Sequence, residues 1–255
     1  MDGKRVAVVV SHPAHLLTVA GLLHRYRPEV LTLFRTDAAQ NVALRAALPY
    51  RVTSFGESEP ESFARAMAGD FAYHAALGDR IFHWLRAARP DVVLGDAYEA
   101  YNYHHDVARL LIDDAVERWR ALGNRIESHE FPLSFRPDAP GAPVRYGEFV
   151  TGPFRAVRLD AREAAVKREL IATVGRVDPF VAHTAPLFAR PEVEPYREVP
   201  PDRDYTAPPP GLALYYDERG REVVAAGKHA HPILFRAHFV PLVRALGLAP
   251  LARAA

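Results

Sequence analysis

Lys4–Gly21 reads KRVAVVVSHPAHLLTVAG, and this stretch decides the fold. Val6–Val10 is five apolar residues without polar alternation, four of them β-branched. That pattern predicts a strand covered on both faces, as in a parallel α/β sheet. The strand runs into Ser11-His12-Pro13-Ala14-His15, after which apolar residues recur at helical spacing from Leu16 until Pro28. Open α/β sheets bind ligands at the carboxyl ends of their strands, which is where His12 and His15 fall. Two histidines three apart in a turn held by a strand can converge on one metal ion.

Composition limits what surrounds this stretch. The 255 residues, 49% of them hydrophobic, can bury a sizeable core, and one α/β domain over 1–255 is expected. Its 32 basic and 31 acidic residues nearly cancel, so no overall field favours nucleic acid or an anionic membrane, and a small-molecule substrate is expected. Without cysteine, a transition metal must sit on His, Asp or Glu. No apolar run approaches the ~18 residues of a spanning helix, and the N-terminus lacks the apolar core of a signal peptide, which predicts a cytoplasmic protein.

Working outward, Val30–Phe34 is a second strand, and Asp37 follows it at the same sheet edge. Tyr50–Phe55 is a short third strand, Glu57–Glu61 a polar loop, and Phe63–Arg89 is helical with a break near Gly69 or Gly78. Asp91–Leu94 is another buried strand. It leads through Gly95-Asp96 into Tyr98, Glu99, Tyr101, Asn102, Tyr103, His104 and His105, after which a helix begins and Gly123 stops it. His104, ~90 residues beyond His12 in the chain, can supply a third ligand, and three histidines with an open position suit a catalytic zinc ion or a similar divalent metal. A polar helix start is equally the pattern of ordinary capping.

Ile126–Leu133 reads as a strand, Ser134–Gly147 as a loop and Asp160–Val174 as an exposed helix. Residues 178–211 carry nine prolines without a sustained period, which predicts an ordered surface arm with neither regular helix nor central strand. Residues 212–255 form a C-terminal extension, with a turn at Glu218-Arg219-Gly220 and a terminal helix Pro232–Leu246.

The two histidine clusters and their setting resemble the PIG-L/LmbE family of metal-dependent de-N-acetylases. That family's first signature, a strand running into Ala-His-Pro-Asp-Asp-Glu, corresponds to Ser11-His12-Pro13-Ala14-His15-Leu16. Its second, Pro-Asp-Val-Val followed by His-Pro-Asp-His at a helix start, corresponds to Pro90–Val93 and Tyr101-Asn102-Tyr103-His104. The likeness continues through His129–Leu133, the helix around Lys167, and Tyr215–Leu246. It implies a Rossmann-like three-layer fold with a mainly parallel sheet, and a zinc-dependent hydrolase of amide (N-acyl) bonds acting on an amino-sugar-like or specialised metabolite.

The zinc ligands of the family fall on His12, His15 and His104, with His15 standing where the family has Asp. The family's general base falls on Ala14, which cannot move a proton, and its oxyanion-stabilising His falls on Tyr101. An all-imidazole site is more positive than one holding a carboxylate, which favours acidic water and anionic substrate groups. Asp37, Asp96, Glu99 and His105 are the replacement candidates for the base, and Tyr101 is a hydrogen-bond donor. A different metal-assisted reaction, or a non-catalytic relative that binds a small molecule or partner, is the alternative.

Overall fold

The computed structural model describes residues 1–35, 48, 51–188, 190, 192–227 and 229–248. Strand β1 (Val6–Val10) is buried at every position, as its unbroken apolar run requires. It lies between β2 (Glu29–Phe34) and β4 (Val92–Asp96), parallel to both. With β3 (Val52–Glu57) and β5 (Glu127–Phe131) these strands form a parallel set in the order β3-β2-β1-β4-β5. The chain leaves β1 in one direction and returns on its other side as β4, so the crevice above those two strands is the topological switch point of the sheet.

Helices cover both faces of the sheet, giving the expected three layers. On one face Val6, Val8 and Val10 pack with Leu22 and Leu23 of α1 (Ala20–Tyr26). Alternation along β1 turns Val9 to the other face. There it joins Leu77, Ile81 and Leu85 of α3 (Phe71–Ala88), Val107 and Leu111 of α4 (Tyr103–Ala121), and Phe235, Phe239 and Val243 from the C-terminal section. The break in the long helical region falls at Gly69, which has φ +68° and separates α2 (Glu59–Met67) from α3. Gly95, inside β4, has no room for a side chain: a Cβ there would sit 2.8 Å from the Val9 carbonyl oxygen and 2.9 Å from Ile112. Its bareness lets β1, β4 and α4 meet just before Asp96.

Several segments depart from expectation. Glu57 closes β3 and Ser58 caps α2, so 57–61 is a strand end and a helix start instead of a loop. The loop after β5 carries a small ribbon of β6 (Ser134–Phe135) and β7 (Arg145–Tyr146). Beyond β8 (Arg155–Arg158) and α5 (Ala161–Gly175), the proline-rich residues 178–211 contain α6 (Pro179–Phe188) and β9 (Val193–Glu198). Proline is at home in a first helical turn, as at Pro179. Strand β9 joins the main sheet antiparallel to β5 and β8, but it meets β5 only through Arg197 and Glu198, away from Pro195, whose missing N–H would weaken a fully paired strand.

Another departure is Glu218-Arg219-Gly220, which lies inside α7 (Tyr216–Ala225) and forms no turn. Gly220 is needed there for close approach, since a Cβ would fall 2.4 Å from the Ile233 carbonyl oxygen. After it, the terminal helical section is a π-turn at Phe235–Phe239 followed by α8 (Val240–Ala245), shorter than the span expected. Among the described residues no helix is long and apolar enough to cross a membrane.

Candidate metal centre

Three strand-end loops converge at the switch point. After β1, the backbone folds at once into a 3₁₀ turn (Pro13–Leu17), with Pro13 in its first turn and His12 as its N-cap. The His15 N–H donates to the His12 carbonyl, and Phe34 N–H of β2 donates to the Ser11 carbonyl, fixing the loop against the sheet. After β4, Asn102 caps α4 by accepting from His104 N–H at 3.0 Å. After β3, the Ser58 side chain accepts from Glu61 N–H, with Pro60 in the first turn of α2. That start places Glu59 over the other two loops.

Glu59 is the residue that sequence reading missed. One carboxylate oxygen lies 3.4 Å from His12 Nδ1 and the other 3.5 Å from His104 Nδ1. Donor atoms of His12, Glu59 and His104 all fall within 4.8 Å of one another. Two ligands of a tetrahedral zinc ion with ~2.1 Å bonds stand ~3.4 Å apart, so this group needs little movement to close on an ion. His104 is 1% exposed, and its Nε2 is buried without a hydrogen-bond partner among the described residues. Two imidazoles and a carboxylate are a donor set that divalent zinc accepts.

His15 stands beside this group. Its ring centroid is 5.1 Å from that of His12, and its Nδ1 is 3.0 Å from Asp96 Oδ2. Asp96 is fully buried and also accepts from the Ser11 backbone N–H at 2.7 Å and hydroxyl at 2.6 Å. His105 is paired in the same manner. Its Nδ1 is 3.3 Å from Glu99, whose other oxygen accepts from Leu133 and Ser134 N–H at 2.8 and 2.6 Å. The His15 and His105 rings are 4.5 Å apart in an edge-on arrangement, and His105 is 5.6 Å from His12. Tyr101 is farther out, stacked on Tyr215 at the rim. Asp37 lies outside the described residues. The site thus gathers His12, His15, His104, His105, Asp96 and Glu99, with Glu59 added.

Burial governs the electrostatics. It pushes His104 down to about 3, with His74 and His229 adding to the effect. Burial and the neighbouring imidazoles likewise hold His12 and His105 well below the usual histidine range, so all three present lone pairs at neutral pH. Burial drives Glu99 well above the usual carboxylate range and raises Glu59. It opposes ionisation of Asp96 too, but His15 and the Ser11 donors outweigh it and keep that carboxylate below its ordinary value. Tyr101 is raised, again by burial, and stays a protonated donor.

No family model matches the sequence, and no curated protein matches it. Solved structures similar to the chain include a triple mutant of a deacetylase (Orf2*T) involved in the teicoplanin biosynthetic pathway. It is 11% identical, with 77% of this chain and 99% of that chain covered and a TM-score of 0.47. The zinc-inhibited form of the teicoplanin deacetylase Orf2 is 11% identical over the same shares, with a TM-score of 0.43. The A40926 pseudoaglycone deacetylase Dbv21 is 14% identical, covering 76% of this chain and 96% of that one, with a TM-score of 0.45. Identities and overlaps of this size leave the chemistry to be read from the chain's own side chains.

Proposed function

We propose that this protein is a metal-dependent hydrolase of amide bonds in small N-acyl compounds, a de-N-acetylase-like activity. One observation supports it above the others: Glu59 bridges His12 and His104 at 3.4 and 3.5 Å, each residue arriving from a different strand-end loop at the switch point. In this reading the third donor is a carboxylate, so the site carries less positive charge than the all-imidazole set expected from His12, His15 and His104. His12, Glu59 and His104 would hold a divalent ion, which would supply Lewis-acid polarisation of an acyl oxygen and a lowered pKa of water.

The remaining side chains handle protons and orientation. Ala14 offers no base, and His105 takes that role: it is neutral, and Glu99, 3.3 Å from its Nδ1, orients the ring. Glu99 fixes the ring through two backbone donors on its far oxygen. Asp96 and Ser11 hold His15 in one orientation, as buried carboxylates do for histidines next to metals. Tyr101, raised by burial, is a protonated donor at the rim of the site.

The test is metal analysis of purified protein after zinc addition near neutral pH, with amine release from N-acetylated substrates measured alongside. One zinc per chain, lost together with amine release in His104→Ala, is the expected outcome. A native protein that retains no divalent metal overturns the reading.

A further inference from the structure

A cavity of about 190 Å³ opens beside the metal group, walled by Glu59, Phe63, Tyr101, His104, Tyr216 and Arg219. Ordinary ligand sites run to ~300–1,000 Å³, so this one takes a single small group of a substrate. Its two formal charges are Glu59 and Arg219. The Glu59 carboxylate is spent on His12 and His104. Arg219 has one ion-pair partner among the described residues, Glu222 at 3.2 Å, and that carboxylate is shared with the Tyr215 hydroxyl. The other acids of α7 are engaged elsewhere: Asp217 accepts from Phe235 N–H and Glu218 pairs with Arg136.

Arg219 is also held in place. Gly220 brings α7 against the Ile233 carbonyl with no space for a side chain, which fixes the helix at the residue next to Arg219. Arg219 lines the same cavity as Glu59, Tyr101 and His104, which places it on the wall shared with the metal group. A planar guanidinium with unused donors matches a carboxylate fork.

We infer that Arg219 is a specificity-determining residue that binds a carboxylate on the substrate, making the preferred substrates small anionic N-acyl compounds such as N-acyl amino acids. The inference rests on the hydrolase reading for its amide, and on the cavity alone for its anion. The carboxylate is the small group that enters the cavity and docks on Arg219, and the rest of the substrate extends so that its amide faces His12, Glu59 and His104.

Calorimetric binding of N-acetyl-L-alanine and of its neutral amide to the purified full chain tests it. The anion should bind about 10- to 100-fold tighter than the amide, the range expected of a charge-assisted hydrogen-bonded pair. Arg219→Gln should erase that preference and Arg219→Lys should keep part of it, both variants unfolding like the native chain. His104→Ala should keep the preference, which separates this inference from the metal reading. Equal binding of acid and amide, no binding of the acid, or a preference that survives Arg219→Gln overturns it.

Discussion

Two clusters of buried charged and polar groups flank the loop after β1, and they are finished differently. Behind α1, Lys167 and Glu194 are both fully buried and every charged atom has a partner. Lys167 Nζ donates to Glu194 at 2.8 Å and to the Thr18 carbonyl at 2.7 Å, while Glu194 accepts from Gly21 and Leu22 N–H at 2.8 and 2.7 Å. In front, at the strand ends, His104 Nε2 and Asp96 Oδ1 are equally buried and lack hydrogen-bond partners among the described residues. Unmet buried polar groups cost stability. The rear cluster is a clamp that closes α1 onto the sheet, and the front cluster leaves buried polar atoms unpaired among the described residues.

The difference predicts unequal responses to mutation. Lys167→Met leaves Glu194 as a buried charge without its cation, and breaking such a pair costs about 3–5 kcal/mol. Urea unfolding should show that loss, together with loosening of the loop that carries His12. A cost below about 1 kcal/mol would mean the clamp is no more structural than the site.

Acid should act on the other side of the comparison. His74, buried against Tyr103 with Nε2 2.8 Å from its hydroxyl, is lowered to about 4 by burial, from about 6.5 when unfolded. The folded form therefore binds fewer protons than the unfolded chain. Stability is fully present above about pH 6.5 and is lost as pH falls toward 4, by up to about 3 kcal/mol from this residue. His104 titrates in the same direction. Unfolding free energies of metal-free protein measured across that window should decline steadily, and a flat profile would show these imidazoles protonated in the fold.

Removing a donor from the front cluster should have a smaller effect on the metal-free fold and a larger one on ligand linkage. Zinc at 100 times its Kd should stabilise the native protein by about 2.7 kcal/mol. His104→Ala should abolish that increment, read as a zinc-dependent shift in Tm that disappears.

The sequence disclosed the parts of this arrangement that are local. An unbroken apolar run fixed β1 as buried on both faces, and histidines after two such runs had to meet at one edge once the strands were parallel. Glu59 was hidden because 57–61 reads as a polar loop. Its signal was present in Ser58-Glu59-Pro60-Glu61, a capping serine, a first-turn proline and acids, which mark a helix start directly after a strand. The pairing of His15 with Asp96 spans 81 residues and has no local signature. Prolines masked β9 in the same way, because the rule that bars proline from central strands does not apply where the partner strand pairs with only two residues.

The smallest stability effect gives the sharpest distinction. Glu59 is half-buried at the mouth of the site, so Glu59→Gln should change metal-free stability by no more than about 0.5 kcal/mol. If Glu59 is the third donor, the same change removes the one anionic ligand and zinc content should fall steeply. His15→Ala then supplies the contrast. His15 lies outside the compact His12–Glu59–His104 donor group, so its loss should leave zinc bound more tightly than in Glu59→Gln, while Asp96 loses a partner at the back of the site. The opposite order, zinc retained without the Glu59 charge and lost without His15, would restore the all-imidazole site and make Glu59 a gate over it. Zinc content of the two variants, measured side by side, decides which loop completes the coordination: the one after β3 or the one that begins it at β1.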